Sequence, residues 1–203
     1  MDQQTTALIW WLIAVFGIFV TLMVMLGFVI GPVFLTGLFK NFGLNISTYL
    51  ITLLVGAMLS AVWQEPGWRG FALPLMQKRY GAFSASIILG VLWALWHIPG
   101  YFAGWNSNAF VLLLGYCIGF SIFATWVFNN TRGSMLFMIL LHASGDAAFW
   151  VVPKMLPINL STGMASFVLG GWSQAFAALI LAALALILTT GTLSLAKHPV
   201  DSL

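Results

Sequence analysis

Long apolar runs separated by short polar turns fill this 203-residue chain and limit its possible folds. Only 5% of its residues are charged, whereas a typical soluble domain carries about 25%. An α-helix needs roughly 20 apolar residues to cross the hydrocarbon core of a bilayer. The sequence therefore predicts an all-α, polytopic transmembrane helical bundle of about six spans, within a range of six to eight, that forms a single domain over residues 1–203.

The apolar runs predict where the spans lie. They cover about residues 7–39, 47–77, 83–97, 109–128, 134–152 and 164–190. The first run is interpreted as an uncleaved span. Pro66 predicts a kink in the second run, and a polar connector at 41–45 with an N-cap near Ser47 predicts where that helix begins. Pro99 and Gly100 are expected to stop the third span.

The basic residues are scattered among separate turns, although the net charge is +3. They form no patch of the kind that binds phosphates, so nucleic acid is not an expected partner. With six spans, one side of the membrane receives Lys78, Arg79, Arg132 and Lys197, and the other receives Lys40 and Lys154. This bias predicts that both termini are cytoplasmic. The single Cys117 excludes an internal disulfide and is interpreted as a buried packing residue.

Three predicted spans each carry an unusual pair of side chains at a spacing of four residues. The pairs are Glu65 with Arg69, Trp93 with His97, and His142 with Asp146. Residues four apart share one face of a helix. At about 1.5 Å per residue, Glu65 and Asp146 both lie roughly 18 Å from the nearest end of their spans. The overlapping depths predict one shared site inside the membrane.

Ionisable side chains near the bilayer centre need a reason, because each costs about 2.5–3.5 kcal/mol on insertion scales. One explanation is a functional site. The other is a structural ion pair between Glu65 and Arg69, with the histidines as hydrogen-bonded packing residues.

The chemistry of these side chains favours hydrolysis. A carboxylate beside a histidine can activate water, and a second histidine can stabilise an oxyanion. Ser144 lies two residues from His142 and does not share its helix face, which argues against a serine nucleophile. Two histidines and a carboxylate would equally suit zinc. However, no His-Glu-x-x-His spacing is present, so no metal or other cofactor is expected.

The three motifs together resemble a known family. Gln64-Glu65-x-x-x-Arg69-Gly70, Trp93-x-x-x-His97 and His142-x-x-x-Asp146 are similar to the motifs of the CAAX prenyl protease and bacteriocin-processing (CPBP, or Abi) family of intramembrane endopeptidases. The likeness covers a predicted catalytic core at about 47–152. It implies a bacterial or archaeal plasma-membrane protease that acts near the cytoplasmic side on a peptide or C-terminally lipidated protein.

The resemblance also implies a role for each residue. Position 64 and His97 would activate water, His142 and Asp146 would stabilise the oxyanion, and Arg69 would orient the acidic side chains, among them Glu65. Aromatic side chains, here Trp68 and Trp93, are candidates for substrate contact.

The sequence departs from the family pattern at the general base, because Gln64 stands where the family has glutamate. An amide cannot act as a general base near neutral pH, so the chain is expected to be inactive. Three explanations remain open: a deliberate substitution, a natural protein that binds peptides or confers bacteriocin immunity without cleavage, or Glu65 acting as the base. Trp93 replaces phenylalanine and Asp146 replaces asparagine. An ion or proton pathway is a further alternative.

Overall fold

The computed structural model describes residues 42–104, 110–151, 175, 178–187 and 194–196. Within these ranges the regular elements are helices and none is a strand, in agreement with the predicted all-α class. The predicted first span, the connector at 153–163, most of the sixth span and the C-terminal tail lie outside the described residues. The count of about six spans and the single domain therefore stay predictions.

The elements follow one another with short turns. They are α1 (Phe42–Gly56), π1 (Ala57–Ala61), α2 (Val62–Glu65), π2 (Pro66–Ala72), α3 (Leu73–Tyr80), α4 (Ala82–Trp96), α5 (Ile98–Phe102), α6 (Phe110–Asn130), α7 (Met135–Val151) and α8 (Ala178–Ile187). The segments from α1 to α3 form one continuous helix, in which π1 and π2 are π-helical turns.

Three of the described helices are long and apolar enough to cross a membrane. By length and composition these are Ile46–Tyr80, Ala82–Phe102 and Phe110–Asn130. Their outer faces carry large apolar side chains, such as Trp63 at 77% exposure and Phe102 at 90%. Apolar surface of this kind is unfavourable in water and favourable in lipid, as expected for an integral membrane protein.

Two sequence predictions about helix ends were wrong. The chain is already helical at Phe42, so the region near Ser47 is not an N-cap. Pro99 does not stop its helix either, because it lies in the first turn of α5, where the missing N–H needs no intrahelical partner. Pro66 opens π2 within the continuous helix, and its missing N–H coincides with a change from α- to π-type hydrogen bonding.

Close backbone contacts hold α4, α6 and α8 together. A Cβ atom added at Gly90 on α4 would lie 2.6 Å from the Cα of Ile118 on α6. One added at Gly119 on α6 would lie 2.7 Å from the carbonyl carbon of Ala178 on α8. Small residues allow helices to approach at this distance, and such packing drives helix association in membranes. The three helices form a tightly packed wall behind the polar residues of α2 and α7.

We expect Gly119→Ala to destabilise the fold by about 1–3 kcal/mol, because the added methyl group meets backbone atoms that cannot rotate away. Gly115→Ala is the matched control, since it lies one turn earlier on α6 and its Cβ would only touch the Ala175 side chain at 3.9 Å. Thermal unfolding of both variants in detergent micelles measures the difference. Equal melting temperatures would contradict the close α6–α8 contact.

Side-chain hydrogen bonds bring several chain turns to one end of the bundle. Gln77 and Asn129 exchange two hydrogen bonds, of 3.2 and 2.8 Å, between the ends of α3 and α6. The Asn129 and Asn130 amides also donate to the carbonyls of Ser194 and Leu195, at 3.4 and 3.2 Å. The basic turns that directly follow α3 and α6 therefore lie at the same end, as the alternation of spans predicted.

Candidate active site

A buried carboxylate lies at the centre of the polar residues. Glu65, the last residue of α2, accepts a hydrogen bond from Arg69 Nη1 on its Oε1 at 2.8 Å. The same oxygen lies 2.6 Å from Nδ1 of His142 on α7. Arg69 also donates from Nη2 to the Ser121 hydroxyl on α6, at 3.2 Å. Glu65 thus links α2, π2 and α7, and Arg69 extends the network to α6.

An aromatic wall covers the guanidinium. The Cζ atom of Arg69 lies 4.9 Å from the Trp93 ring centroid and 5.2 Å from that of Phe120. The Arg69 side chain has no exposed surface. Cation–π contacts strengthen when both partners are removed from water, so the wall stabilises a charge that the membrane interior would otherwise disfavour.

Gln64 binds through both ends of its amide. Its Oε1 accepts from the Trp93 indole N–H at 3.0 Å, and its Nε2 donates to the Ser60 hydroxyl at 3.1 Å. Ser60 in turn makes a side-chain hydrogen bond with Asp146 on α7. Gln64 therefore belongs to a chain of side chains that runs from Trp93 on α4 to Asp146 on α7.

Hydrogen bonds fix the orientation of both imidazole rings. Nδ1 of His97 lies 2.8 Å from the Trp93 carbonyl oxygen, which can only accept, so this nitrogen carries a proton. In the neutral ring, Nε2 of His97 then carries the lone pair. Nδ1 of His142 donates to the Glu65 carboxylate, which leaves Nε2 as its other functional nitrogen.

The two rings lie on either side of Trp93. The Trp93 ring centroid is 5.7 Å from that of His97 and 5.2 Å from that of His142, with edge-on geometry in both contacts. His97 also interacts electrostatically with His142 and Asp146. Nε2 of His142 lies 3.8 Å from Oδ2 of Asp146, longer than a direct hydrogen bond.

The structure brings the sequence-predicted residues from α2, π2, α4 and α7 to one place. Gln64, Glu65, Arg69, Trp93, His142 and Asp146 are joined by the contacts above, and His97 joins them through Trp93. Trp68 is half-buried and packs against the hydrophobic core. Ser144 bonds to Tyr49 on α1 at 2.8 Å, on another side of α7 from the histidine.

Sequence reasoning missed two serines. Ser60 lies four residues before Gln64, and this spacing was a usable signal because the two positions share a helix face. Ser121 lies 52 residues from Arg69, and nothing local in its apolar helix marks it.

Metal binding finds no support in the described geometry. Among the described residues, no group of three or more His, Cys, Asp or Glu side chains is arranged to hold a metal ion. Glu65 and His142, the nearest pair of possible ligands, are hydrogen-bonded to each other.

Comparison with known families agrees with this geometry. The sequence model of a family described as Type II CAAX prenyl endopeptidase Rce1-like matches residues 46–148, about half of the chain. The chain belongs to this Rce1-like family. The match confirms the resemblance drawn from the motifs, and its range contains all of the proposed site residues.

The Rce1-like chain is also similar to a curated relative, the CAAX prenyl protease 2 of Methanococcus maripaludis. The two are 34% identical over 110 residues, which cover 49% of this chain and 40% of the relative. The chain thus aligns with less than half of that relative's length. No solved structure matches the chain.

Proposed function

We propose that this chain is an intramembrane endopeptidase that hydrolyses a peptide bond near the C-terminus of a lipidated protein substrate. The observation that carries the proposal is a pair of imidazoles, each oriented by a hydrogen bond from Nδ1 and both in contact with Trp93. Membership of the Rce1-like family supports the reaction class and a lipidated peptide as substrate.

Each residue has a proposed role. Nε2 of His97 faces the attacking water, and Nε2 of His142 donates to the oxyanion that forms on the scissile carbonyl. Arg69 holds the Glu65 carboxylate, which in turn orients the His142 ring. Trp68 and Trp93 are proposed to contact the substrate.

Gln64 leaves the identity of the general base as the main mechanistic question. Its amide cannot accept a proton near neutral pH. Glu65 is a poor replacement, because its side chain is only 1% exposed and its Oε1 already accepts from Arg69 and His142. Without another carboxylate at the site, the chain would be inactive, as the sequence predicted.

Peptide binding without cleavage is the second candidate function. The observation that favours it is the Gln64 amide, which donates to Ser60 and accepts from Trp93 at the same time. An amide suits this position because it supplies both a donor and an acceptor. A bacteriocin-immunity protein would belong to this class.

The proposed location is the plasma membrane of a bacterium or archaeon, with both termini on the cytoplasmic side. The Gln77–Asn129 hydrogen bonds support this, because they bring two basic turns to one end of the bundle.

The test uses the purified chain in lipid vesicles and a farnesylated peptide that ends in a CAAX sequence. Mass spectrometry detects the released tripeptide, and a fluorescent version of the peptide reports binding. We expect cleavage by the unmodified chain and a loss of roughly 10²-fold or more in His97→Ala. Leu95→Ala, an exposed neighbour on α4, is the control and should cleave normally. Binding without cleavage in every variant would favour the second candidate.

A further inference from the structure

We infer that Asp146 is the carboxylate that takes the proton from the attacking water, with Gln64 acting only as a hydrogen-bonding amide. This inference rests on the proposed peptidase function and names its general base. It changes the role of Asp146 from oxyanion stabilisation, which the family resemblance implied, to proton transfer.

Exposure separates the two carboxylates of the described site. The Asp146 side chain is 33% exposed, whereas that of Glu65 is 1% exposed. Glu65 is tied to a guanidinium at 2.8 Å and an imidazole at 2.6 Å, so protonating it would break a buried ion pair. Of the two, Asp146 is the carboxylate that a water molecule can reach.

The hydrogen-bond chain through Ser60 explains why a carboxylate suits position 146. The Trp93 N–H donates to Gln64, and the Gln64 amide donates to Ser60. The Ser60 hydroxyl has one proton, which it directs to Asp146. All three bonds run in the same direction and end on an acceptor. A carboxylate also at position 64 would compete with Asp146 for the Ser60 proton.

The position of Asp146 suits proton transfer at the site. Its Oδ2 lies 3.8 Å from Nε2 of His142, the atom proposed to donate to the oxyanion. His97, whose Nε2 faces the water, interacts electrostatically with Asp146. A water held between His97 and Asp146 would therefore be next to the group that stabilises the charge it creates.

The proposed reaction is a water-mediated hydrolysis. The water oxygen bonds to the scissile carbonyl carbon as one water proton passes to the Asp146 carboxylate, and the carbonyl electron pair moves onto its oxygen. When the C=O bond forms again, the C–N bond breaks and the leaving nitrogen receives the proton from Asp146. The products are a carboxylic acid and an amine, and Asp146 returns to its ionised form.

The experiment compares the unmodified chain with Asp146→Asn, Gln64→Glu and the double variant Gln64→Glu/Asp146→Asn, using the farnesylated peptide in vesicles. We expect kcat of Asp146→Asn to fall by about 10²–10⁴-fold with an unchanged Kd for the fluorescent peptide. The double variant returns a carboxylate to the site and should recover kcat to within about tenfold of the unmodified chain. Ser144→Ala on the same helix bonds to Tyr49 instead and serves as the control with normal cleavage.

Three results would overturn the inference, and they separate it from the proposed function. Normal cleavage by Asp146→Asn, or an inactive unmodified chain that becomes active only as Gln64→Glu, would remove Asp146 as the base and leave the peptidase function standing. Absence of cleavage in all four proteins, despite peptide binding, would reject both proposals.

Discussion

Replacement of Arg69 with methionine is expected to destabilise the folded protein by about 3–5 kcal/mol, because it leaves the Glu65 carboxylate buried without its cationic partner. Arg69 and Glu65 are both fully buried, and Nη1 lies 2.8 Å from Oε1. The guanidinium also bonds to Ser121 and contacts Trp93 and Phe120. Its loss therefore loosens the contact of π2 with α4 and α6 as well.

The matched control is Arg79→Met, because Arg79 is exposed and its guanidinium only lies over Tyr80, at 5.3 Å. Unfolding in detergent, followed by tryptophan fluorescence, gives both free-energy changes. The double variant Glu65→Gln/Arg69→Met should recover part of the loss, since a buried ion pair can be replaced as a whole at little cost. Similar losses for Arg69→Met and Arg79→Met would show that the buried pair does not stabilise the fold.

Replacement of His142 with asparagine is expected to lower kcat for peptide cleavage by about 10²–10³-fold, the range for loss of one oxyanion donor. The asparagine amide nitrogen takes a position close to that of Nδ1, so the bond to Glu65 can be retained. The substitution removes Nε2, the nitrogen that faces Asp146 at 3.8 Å. The variant therefore tests chemistry separately from support of Glu65.

His142→Ala is the companion variant, because it removes both ring nitrogens. We expect both variants to lose activity, whereas only the alanine variant should also unfold more readily. Steady-state cleavage of the farnesylated peptide and unfolding in detergent measure the two effects. If the asparagine variant kept full activity, Nε2 of His142 would have no part in the reaction.

The helices and the polar faces were predictable because they depend on local patterns. The spacing of four residues placed Glu65 with Arg69 and His142 with Asp146, and both pairs lie close in the structure, at 2.8 and 3.8 Å. Helical periodicity sets these distances regardless of the rest of the fold. The apolar runs similarly predicted α6 and α7 to within a few residues.

The partners of those faces were harder to predict, because they come from helix packing. Nothing in the sequence showed that Ser60 would connect Gln64 to Asp146, so Gln64 was interpreted only as a missing base. The proline predictions failed for a related reason. Whether Pro66 or Pro99 ends a helix depends on how the neighbouring backbone groups are satisfied, which a local pattern does not reveal.

The buried thiol of Cys117, the single cysteine of the sequence, makes this protein a convenient background for labelling. A thiolate must be accessible to react with a maleimide, and Cys117 is fully buried within α6. A cysteine introduced at exposed Lys78 or at exposed Ala103 would therefore supply the reactive group. These positions lie beyond opposite ends of α4, so an impermeant reagent applied to intact cells would reach only one of them and reveal which end of the bundle faces outward.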